Sequence, residues 1–310
     1  MMPNEDVVDW LLDGDPAIRW QVMRDLVGAS ATAVERERKK VARQGWGALL
    51  LERQDEDGRW ARGLYTPKWT STTYTMLLLR DLGLPPTNAQ AKRACRLLLD
   101  EGMRPDGGIH FGDRETSETC ITGMVLSILA YFRFADDRLH TIADHLLRVQ
   151  MPDGGWNCRR PRGATHASVH TTISVLEGLR QYELRQTRCG RDVRAAQKRG
   201  REFLLVHRLF RSHRRGTVMN SAFTRLTFPP RWHYDILRAL DYFRDVNAPR
   251  DTRLAEAIDI LHERMTDDGR WKLENRYQGK TFFEMERVGR ESRWNTLRAL
   301  RVLRWWNGRA

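Results

Sequence analysis

The chain of 310 residues carries a formal net charge of +13, and 41% of its residues are hydrophobic. This length allows one large domain or two modest ones, and the absence of a linker rich in Gly, Ser or Pro favours a single domain over residues 1–310. No apolar run of about eighteen residues and no signal peptide occur, so we expect a cytoplasmic protein without a transmembrane segment. Peripheral contact with a membrane remains compatible with the basic charge.

The positive charge comes mostly from arginine, and no nucleic-acid-binding motif accompanies it. Anionic lipid and phosphorylated substrates are compatible partners, and the alternative is a solvated Arg-rich surface. The densest basic stretch is Arg208–Arg215. The four cysteines do not form close pairs, which predicts a reducing compartment rather than a disulfide framework; they are Cys95, Cys120, Cys158 and Cys189.

Helical patterns begin near the N-terminus. Val7–Leu12 and Ala17–Val27 are apolar at helical spacing, and Asp15 followed by Pro16 is typical of a helix start. A longer helical stretch, Val34–Arg53, follows. Residues 1–33 therefore form either an N-terminal helical extension or a first hairpin, and residues 34–306 contain a repeat.

A short signature with constant internal spacing occurs four times along the chain. The copies are Gln54–Asp57–Gly58–Trp60, Met103–Asp106–Gly107–Ile109, Gln150–Asp153–Gly154–Trp156 and Met265–Asp268–Gly269–Trp271. Their anchors fall 49, 47 and 115 residues apart, and the last interval leaves room for one degenerate copy, Phe203–Phe243. A period near fifty residues predicts a repeat architecture.

Each signature lies between two helical runs of different character. The preceding charged runs suit helices with one solvated face, and the following apolar runs suit helices that are covered on nearly all sides. The charged runs include Ala89–Leu99, Arg138–Val149, Arg194–Arg208 and Leu254–Arg264; the apolar runs are Thr72–Leu84, Cys120–Phe132, Thr171–Tyr182, Tyr234–Phe243 and Asn295–Trp306. The Asp-Gly pair predicts a turn, and the adjacent Trp is expected to pack over a helix end. Because strand signals are absent, the fold class is all-α.

The segments Gln54–Trp60 and Gln150–Trp156 resemble the repeat motifs of squalene and oxidosqualene cyclases, and related repeats occur in the β subunits of protein prenyltransferases. The resemblance covers roughly residues 34–306 and implies an α/α toroid of about five or six helical hairpins. In such a ring the N-termini of the inner helices converge at one mouth of a central cavity. Helix N-termini favour anions such as diphosphate, so functional residues are sought in the preceding loops.

The resemblance to prenyltransferase β subunits implies a zinc site at this mouth. Glu118 and Cys120 open one inner helix and His170 opens the next, which resembles the family's Asp-x-Cys and His ligands, with Glu in place of Asp. Carboxylate, thiolate and imidazole are ligands that zinc accepts in a tetrahedron. His166 and Cys158 are reserve ligands. The alternative is that Cys120 is a buried apolar residue and His170 a hydrogen-bonded helix cap.

Substrate-binding residues follow from the same resemblance. Pro67-Lys68-Trp69 resembles the family's segment near the diphosphate, so Lys68 and Trp69 are assigned there together with Arg114, Arg231 and His233. The family's basic pair is out of register, since only Arg114 lies close to it. Glu284 and Glu286 form a weaker alternative site for Mg²⁺ and diphosphate, within a long loop, Tyr277–Ser292, that is interpreted as a lid.

Catalytic roles are assigned to Asp235, Trp232 and Trp294 at the starts of the last two inner helices. Asp235 is either an N-terminal cap or a general acid. The two Trp side chains either pack at a helix entry or face an apolar or cationic intermediate.

Three functions remain open. The favoured one is prenyl-type transfer from an allylic diphosphate by a zinc-activated nucleophile, with the prenyl chain held against apolar inner-helix faces. The second is a terpenoid cyclase that lacks the family's Asp-x-Asp-Asp motif and uses Asp235 or Glu118 as proton donor. The third is a non-enzymatic toroid that binds a lipid or a protein partner.

Overall fold

The computed structural model describes residues 5–185 and 190–308, and within these ranges it contains thirteen α-helices and no β-strand. The helices are α1 (Glu5–Leu12), α2 (Pro16–Val22), α3 (Ala31–Lys39), α4 (Gly45–Leu51), α5 (Thr72–Leu82), α6 (Ala89–Gly102), α7 (Thr119–Tyr131), α8 (Arg138–Arg148), α9 (Val169–Arg185), α10 (Arg191–Val206), α11 (Ile236–Asp245), α12 (Ala255–Glu263) and α13 (Arg293–Trp306). The all-α prediction is confirmed. Cys189 lies outside the described residues.

In the three copies that carry Trp, the signature residues hold the turn against its two helices by the same hydrogen bonds, and Ile109 in the remaining copy repeats only the backbone bond. In the first copy the Trp60 backbone N–H donates to Thr72 Oγ1 at 3.0 Å, and the indole donates to the Leu50 carbonyl at 2.7 Å. Trp156 and Trp271 repeat both bonds, and all three indoles are fully buried. The predicted packing of these Trp residues over a helix end therefore agrees with the structure.

The degenerate copy replaces this Trp by a tyrosine from the other side of the loop. The Tyr234 hydroxyl donates to the Leu209 carbonyl at 2.6 Å and so ties α11 to the end of α10. Elsewhere the stretch predicted as one helix over Val34–Arg53 is divided into α3 and α4. The break falls at Gly45, whose φ is +66°, and Asp15 accepts a hydrogen bond from the Trp46 N–H to cap the new helix start.

Six helical hairpins close into an α/α toroid. The inner ring consists of α2, α5, α7, α9, α11 and α13, and contact between α13 and α2 completes the circle. The hairpin of α1 and α2 is thus the unit that closes the ring. Contact is most extensive between α7 and α9, where a Cβ on Gly178 would lie 2.4 Å from the Gly123 carbonyl oxygen.

The inner helices run in the same direction, since like ends contact one another. His170 meets Tyr234 at the N-terminal ends, and Trp20 meets Leu82, Tyr131 meets Leu84, Arg180 meets Asp245 and Arg301 meets Asp25 at the C-terminal ends. The ring therefore has two different mouths. The mouth at their N-termini is called apical and the mouth at their C-termini basal. None of the helices in the described part of the chain is long and apolar enough to cross a membrane.

Candidate metal centre and apical site

Three potential metal ligands meet at the apical mouth. One oxygen of Glu118 and the sulfurs of Cys120 and Cys158 all lie within 4.8 Å of one another. Glu118 and Cys120 lie at the start of α7, and Cys158 lies in the loop before α9, where its N–H donates to Thr171 Oγ1 at 3.3 Å. The Cys120 thiol donates to Glu118 at 3.3 Å. A carboxylate and two sulfurs form a donor set that suits zinc.

The two sulfurs have opposite acidities. The hydrogen bond from Cys120, followed by that from Thr171, lowers the pKa of Cys158 to about 6 against the effect of burial. The hydrogen bond to Cys158 and burial raise the pKa of Cys120 well above its ordinary value. Of the two sulfurs, Cys158 is therefore the more acidic and Cys120 the one that holds its proton more tightly.

His170, which sequence analysis places among the zinc ligands, is not part of this group of three. Its Nδ1 accepts a hydrogen bond from the Tyr234 N–H at 2.9 Å, and its ring contacts Phe223 and Trp232 edge-on. Burial, followed by the charge of Arg238, lowers the pKa of His170 to about 4, so the imidazole is neutral. Of the two reserve ligands, Cys158 joins the cluster, whereas the exposed His166 contacts Arg214.

Aromatic rings form a continuous wall beside the cluster. His233 is sandwiched between Trp232 and Tyr277, at centroid distances of 3.7 and 3.4 Å. Burial lowers the pKa of His233 to about 3, with smaller effects from the nearby cations. The buried Trp232 Nε1 has no hydrogen-bond partner. The rings of this wall are therefore uncharged at neutral pH, and the Trp232 indole has an N–H donor without a partner among the described residues.

Two cations flank Trp69 within this wall. Lys68 Nζ lies 5.5 Å from the rings of both Trp69 and Trp232, and the Arg231 guanidinium lies 5.8 Å from Trp69. Burial lowers the pKa of Arg231 to about 10, so it stays charged at neutral pH. Arg114 is separate, since it is exposed in the loop before α7 and acts on the pKa of His110.

Of the three residues assigned to catalysis, Asp235 and Trp294 are fully buried and Trp232 is half-buried. Asp235 caps α11 by accepting from the Arg238 N–H at 2.7 Å, while its Oδ2 is unpartnered and burial raises its pKa. Trp294 stacks on Phe228 at 4.1 Å, and its buried Nε1 has no partner. Asp235 thus acts as a helix cap and Trp294 as a packing residue, and the Asp235 carboxyl retains one oxygen without a hydrogen-bond partner.

The loop between α12 and α13 covers the apical mouth. The Trp69 indole donates to the Tyr277 and Gln278 carbonyls at 3.1 and 2.9 Å, and Lys68 and Lys280 are joined backbone to backbone. Beneath it lies a small cavity of about 40 Å³. Its wall includes Trp69, Leu78, Phe228, Arg231, Tyr277, Phe282, Phe283, Met285 and Glu286, and the cluster of Glu118, Cys120 and Cys158 is not part of it.

The two carboxylates of the weaker Mg²⁺ site, Glu284 and Glu286, have different partners. Glu286 caps α13, accepting from the Ser292 hydroxyl and the Trp294 N–H, and burial raises its pKa. Glu284 is exposed and pairs with Arg276 at 2.8 Å. Both side chains line the apical cavity, but each already has its own partners, and the Mg²⁺ site stays a prediction.

The basal half of the ring is charged, contrary to the expectation of apolar inner-helix faces throughout. A cavity of about 380 Å³ opens there, and its wall contains eight Arg and four carboxylate side chains. These are Arg24, Arg38, Arg80, Arg180, Arg238, Arg244, Arg298, Arg301, Asp81, Glu177, Asp241 and Asp245. Sequence reasoning missed them, although the pairs Glu177/Arg180, Arg238/Asp241 and Arg298/Arg301 recur three residues apart within apolar helices. That spacing puts charge on one face of each inner helix.

Comparison with known proteins gives only remote similarities. No family model matches the chain, and no curated protein matches it. A crystal structure of a protein from Actinoplanes is 19% identical with a TM-score of 0.48, covering 97% of each chain. A variant of the type II terpene cyclase MstE from Scytonema, in complex with geranylgeranyl dihydroxybenzoate, is 17% identical with a TM-score of 0.47, covering 95% of this chain and 88% of that one. The apo form of MstE is 14% identical with a TM-score of 0.34, covering 86% and 97%. The closer relationship to protein prenyltransferase β subunits stays a prediction.

Proposed function

We propose that the protein is a zinc-dependent enzyme that handles an isoprenoid diphosphate at the apical mouth. The observation that supports this most directly is the meeting of Glu118, Cys120 and Cys158 within 4.8 Å. Three protein ligands leave one tetrahedral position open, which is the arrangement of catalytic rather than structural zinc sites. In this proposal Cys158 takes the place that sequence analysis gave to His170.

The donor set fits zinc on chemical grounds. The pKa of Cys158 is lowered by its hydrogen bonds, which favours the thiolate that zinc binds, and metal binding would release any proton that the two thiols still carry. Bound zinc would lower the pKa of a thiol or water at its open position. Neutral His170 and His233, at the same mouth, add no charge that would oppose a cation.

Lys68 and Arg231 would bind the diphosphate. Among residues 5–185 and 190–308 neither side chain has a carboxylate within ion-pair distance, and both cations lie over the ring of Trp69. The prenyl chain would occupy the space that the apolar loop residues Phe282 and Phe283 fill in this closed state. In the transfer, the allylic C–O bond breaks with its electrons going to the diphosphate, and a deprotonated acceptor forms the new bond to that carbon.

A terpenoid cyclase is the second candidate, because two buried carboxyls have raised pKa values. Asp235 has an unpartnered oxygen, and Glu286 lines the apical cavity. A carboxylic acid that stays protonated near neutral pH is what alkene protonation requires. This function would need no metal.

Incubation with farnesyl diphosphate and dithiothreitol as a model thiol acceptor separates the candidates. The transferase predicts release of diphosphate and formation of a thioether that needs added zinc and is abolished by EDTA. We expect the double variant Lys68→Gln with Arg231→Gln to weaken binding of farnesyl diphosphate by at least about tenfold. The control is Arg208→Gln with Arg215→Gln, which removes the same two positive charges from the surface and should leave binding unchanged. Cyclic products that form in EDTA and are lost in Glu286→Gln would favour the cyclase instead. If farnesyl diphosphate is neither bound nor turned over, both candidate functions are contradicted.

A further inference from the structure

The basal cavity is a second site, at the opposite end of the ring from the metal cluster. We propose that it binds a small multiply charged anion of the phosphate type. The cavity measures about 380 Å³, and its wall has an excess of four cationic side chains over anionic ones. This site does not depend on the function proposed for the apical mouth.

The excess arises because single carboxylates are shared by several guanidinium groups. Asp241 accepts hydrogen bonds from Arg244 and Arg301, and Arg298 Nε lies 3.6 Å from the same carboxylate. Glu177 is shared in the same way by Arg80 and Arg238. Such a cluster keeps a net positive charge in a recessed, partly desolvated space, which an anion would neutralise.

Donor groups remain available after these pairs are made. Arg38 donates to the Gly83 carbonyl and the Tyr131 hydroxyl, and its third nitrogen forms a long ion pair with Glu35 at 3.7 Å. These contacts use three of its five guanidinium N–H groups. Arg244 uses two of its three nitrogens on Asp241. The C-termini of the inner helices favour cations here and account for part of the Arg content. The helix C-termini do not accept hydrogen bonds from the remaining N–H groups of Arg38 and Arg244. The planar guanidinium group presents such N–H groups in a geometry that matches phosphate oxygens.

The composition of the wall also limits the ligand class. Hydrogen-bonding neutral groups, such as the Tyr131 hydroxyl and the Gln181 amide, alternate with the guanidinium groups, and Trp20 and Phe228 form the apolar part. The volume exceeds that of inorganic phosphate and accommodates a diphosphate. Phe228 also lines the apical cavity, so the segment that carries it separates the two sites.

Calorimetric titration with inorganic pyrophosphate, in buffer without added metal, tests the proposal. Three double variants remove the same charge from three places: Arg38→Gln with Arg244→Gln at the basal cavity, Lys68→Gln with Arg231→Gln at the apical mouth, and Arg208→Gln with Arg215→Gln on the surface. We expect the dissociation constant to rise at least about tenfold in the basal variant and less than about threefold in the other two.

A second pair of variants leaves the ion-pair network intact. Leu184 lines the cavity and is 58% exposed, so Leu184→Glu and Leu184→Lys alter the charge at the rim without disturbing the core. Leu184→Glu is expected to weaken pyrophosphate binding and Leu184→Lys to strengthen it. No binding to the wild-type chain, equal losses in all three double variants, or loss confined to the apical variant would each overturn the proposal.

Discussion

The indole of Trp69 donates a hydrogen bond to the carbonyl of Tyr277, 3.1 Å away, and so joins the start of α5 to the loop that precedes α13. A second bond from the same nitrogen reaches the Gln278 carbonyl at 2.9 Å. Trp69 thereby has two functions in this fold: it forms a wall of the apical cavity and holds the covering loop closed.

Replacing Trp69 by Phe is expected to loosen the loop. The two carbonyls lose their donor, and a net hydrogen bond is worth about 0.5–1.5 kcal/mol, which corresponds to a two- to tenfold higher open population. Trypsin cleavage after the exposed Arg287 should accelerate by about that factor, because cleavage follows the open population when reclosing is fast. Trp305→Phe, a half-exposed Trp outside this contact, is the control; equal cleavage rates in both variants would show that Trp69 does not hold the loop.

Trp271→Phe is expected to lower the free energy of unfolding by about 1–3 kcal/mol, since it removes a buried hydrogen bond and part of a buried ring. The indole is fully buried and donates to the Leu261 carbonyl at 2.7 Å. Denaturant unfolding measures the change. Trp305→Phe should shift stability much less, and a similar small shift for Trp271→Phe would mean that the repeated turn is not held by its Trp.

The Asp241 carboxylate is the electrostatic centre of the basal ion-pair network. Burial alone would raise its pKa, but the charges of Arg301, Arg244 and Arg298 hold it well below the ordinary range. Asp241→Asn leaves these guanidinium groups without their shared anion and is expected to cost about 3–5 kcal/mol of stability. Asp57→Asn, which alters an exposed ion pair, should have little effect.

The same carboxylate predicts a pH dependence. A carboxyl whose folded pKa is depressed contributes stability that is fully present above its unfolded pKa and is lost as pH falls below it towards the folded value. Wild-type stability should therefore fall from about pH 4 downwards, with a smaller fall in Asp241→Asn. Identical acid profiles for the two proteins would contradict this assignment.

The sequence predicts the ring well because the information for it is local. A turn of Asp and Gly, a Trp beside it and a change from charged to apolar runs recur at constant spacing, and they place helix boundaries within a few residues. Gly45 is the exception, since the break of Val34–Arg53 depends on a cap from Asp15 in another hairpin. Such a contact leaves no trace in the pattern of either segment.

The site is harder to predict because its members are positioned by neighbouring repeats. Glu118 and Cys120 are paired by a two-residue spacing at one helix start, which the sequence shows. Cys158 is placed by the path of a loop whose backbone bonds Thr171, and His170 is turned by the Tyr234 N–H from the following repeat. Tertiary contacts between repeats, rather than local sequence, therefore decide whether Cys158 or His170 is the third candidate ligand.

The metal content of purified protein, measured by mass spectrometry after zinc addition and dialysis, tests the central claim most directly. The account predicts one zinc per chain, lost in Cys120→Ala and in Cys158→Ala, and retained in His170→Asn and in Cys95→Ala, which removes a buried thiol elsewhere. Zinc that is absent from folded wild-type protein, or that survives Cys158→Ala but not His170→Asn, would contradict it.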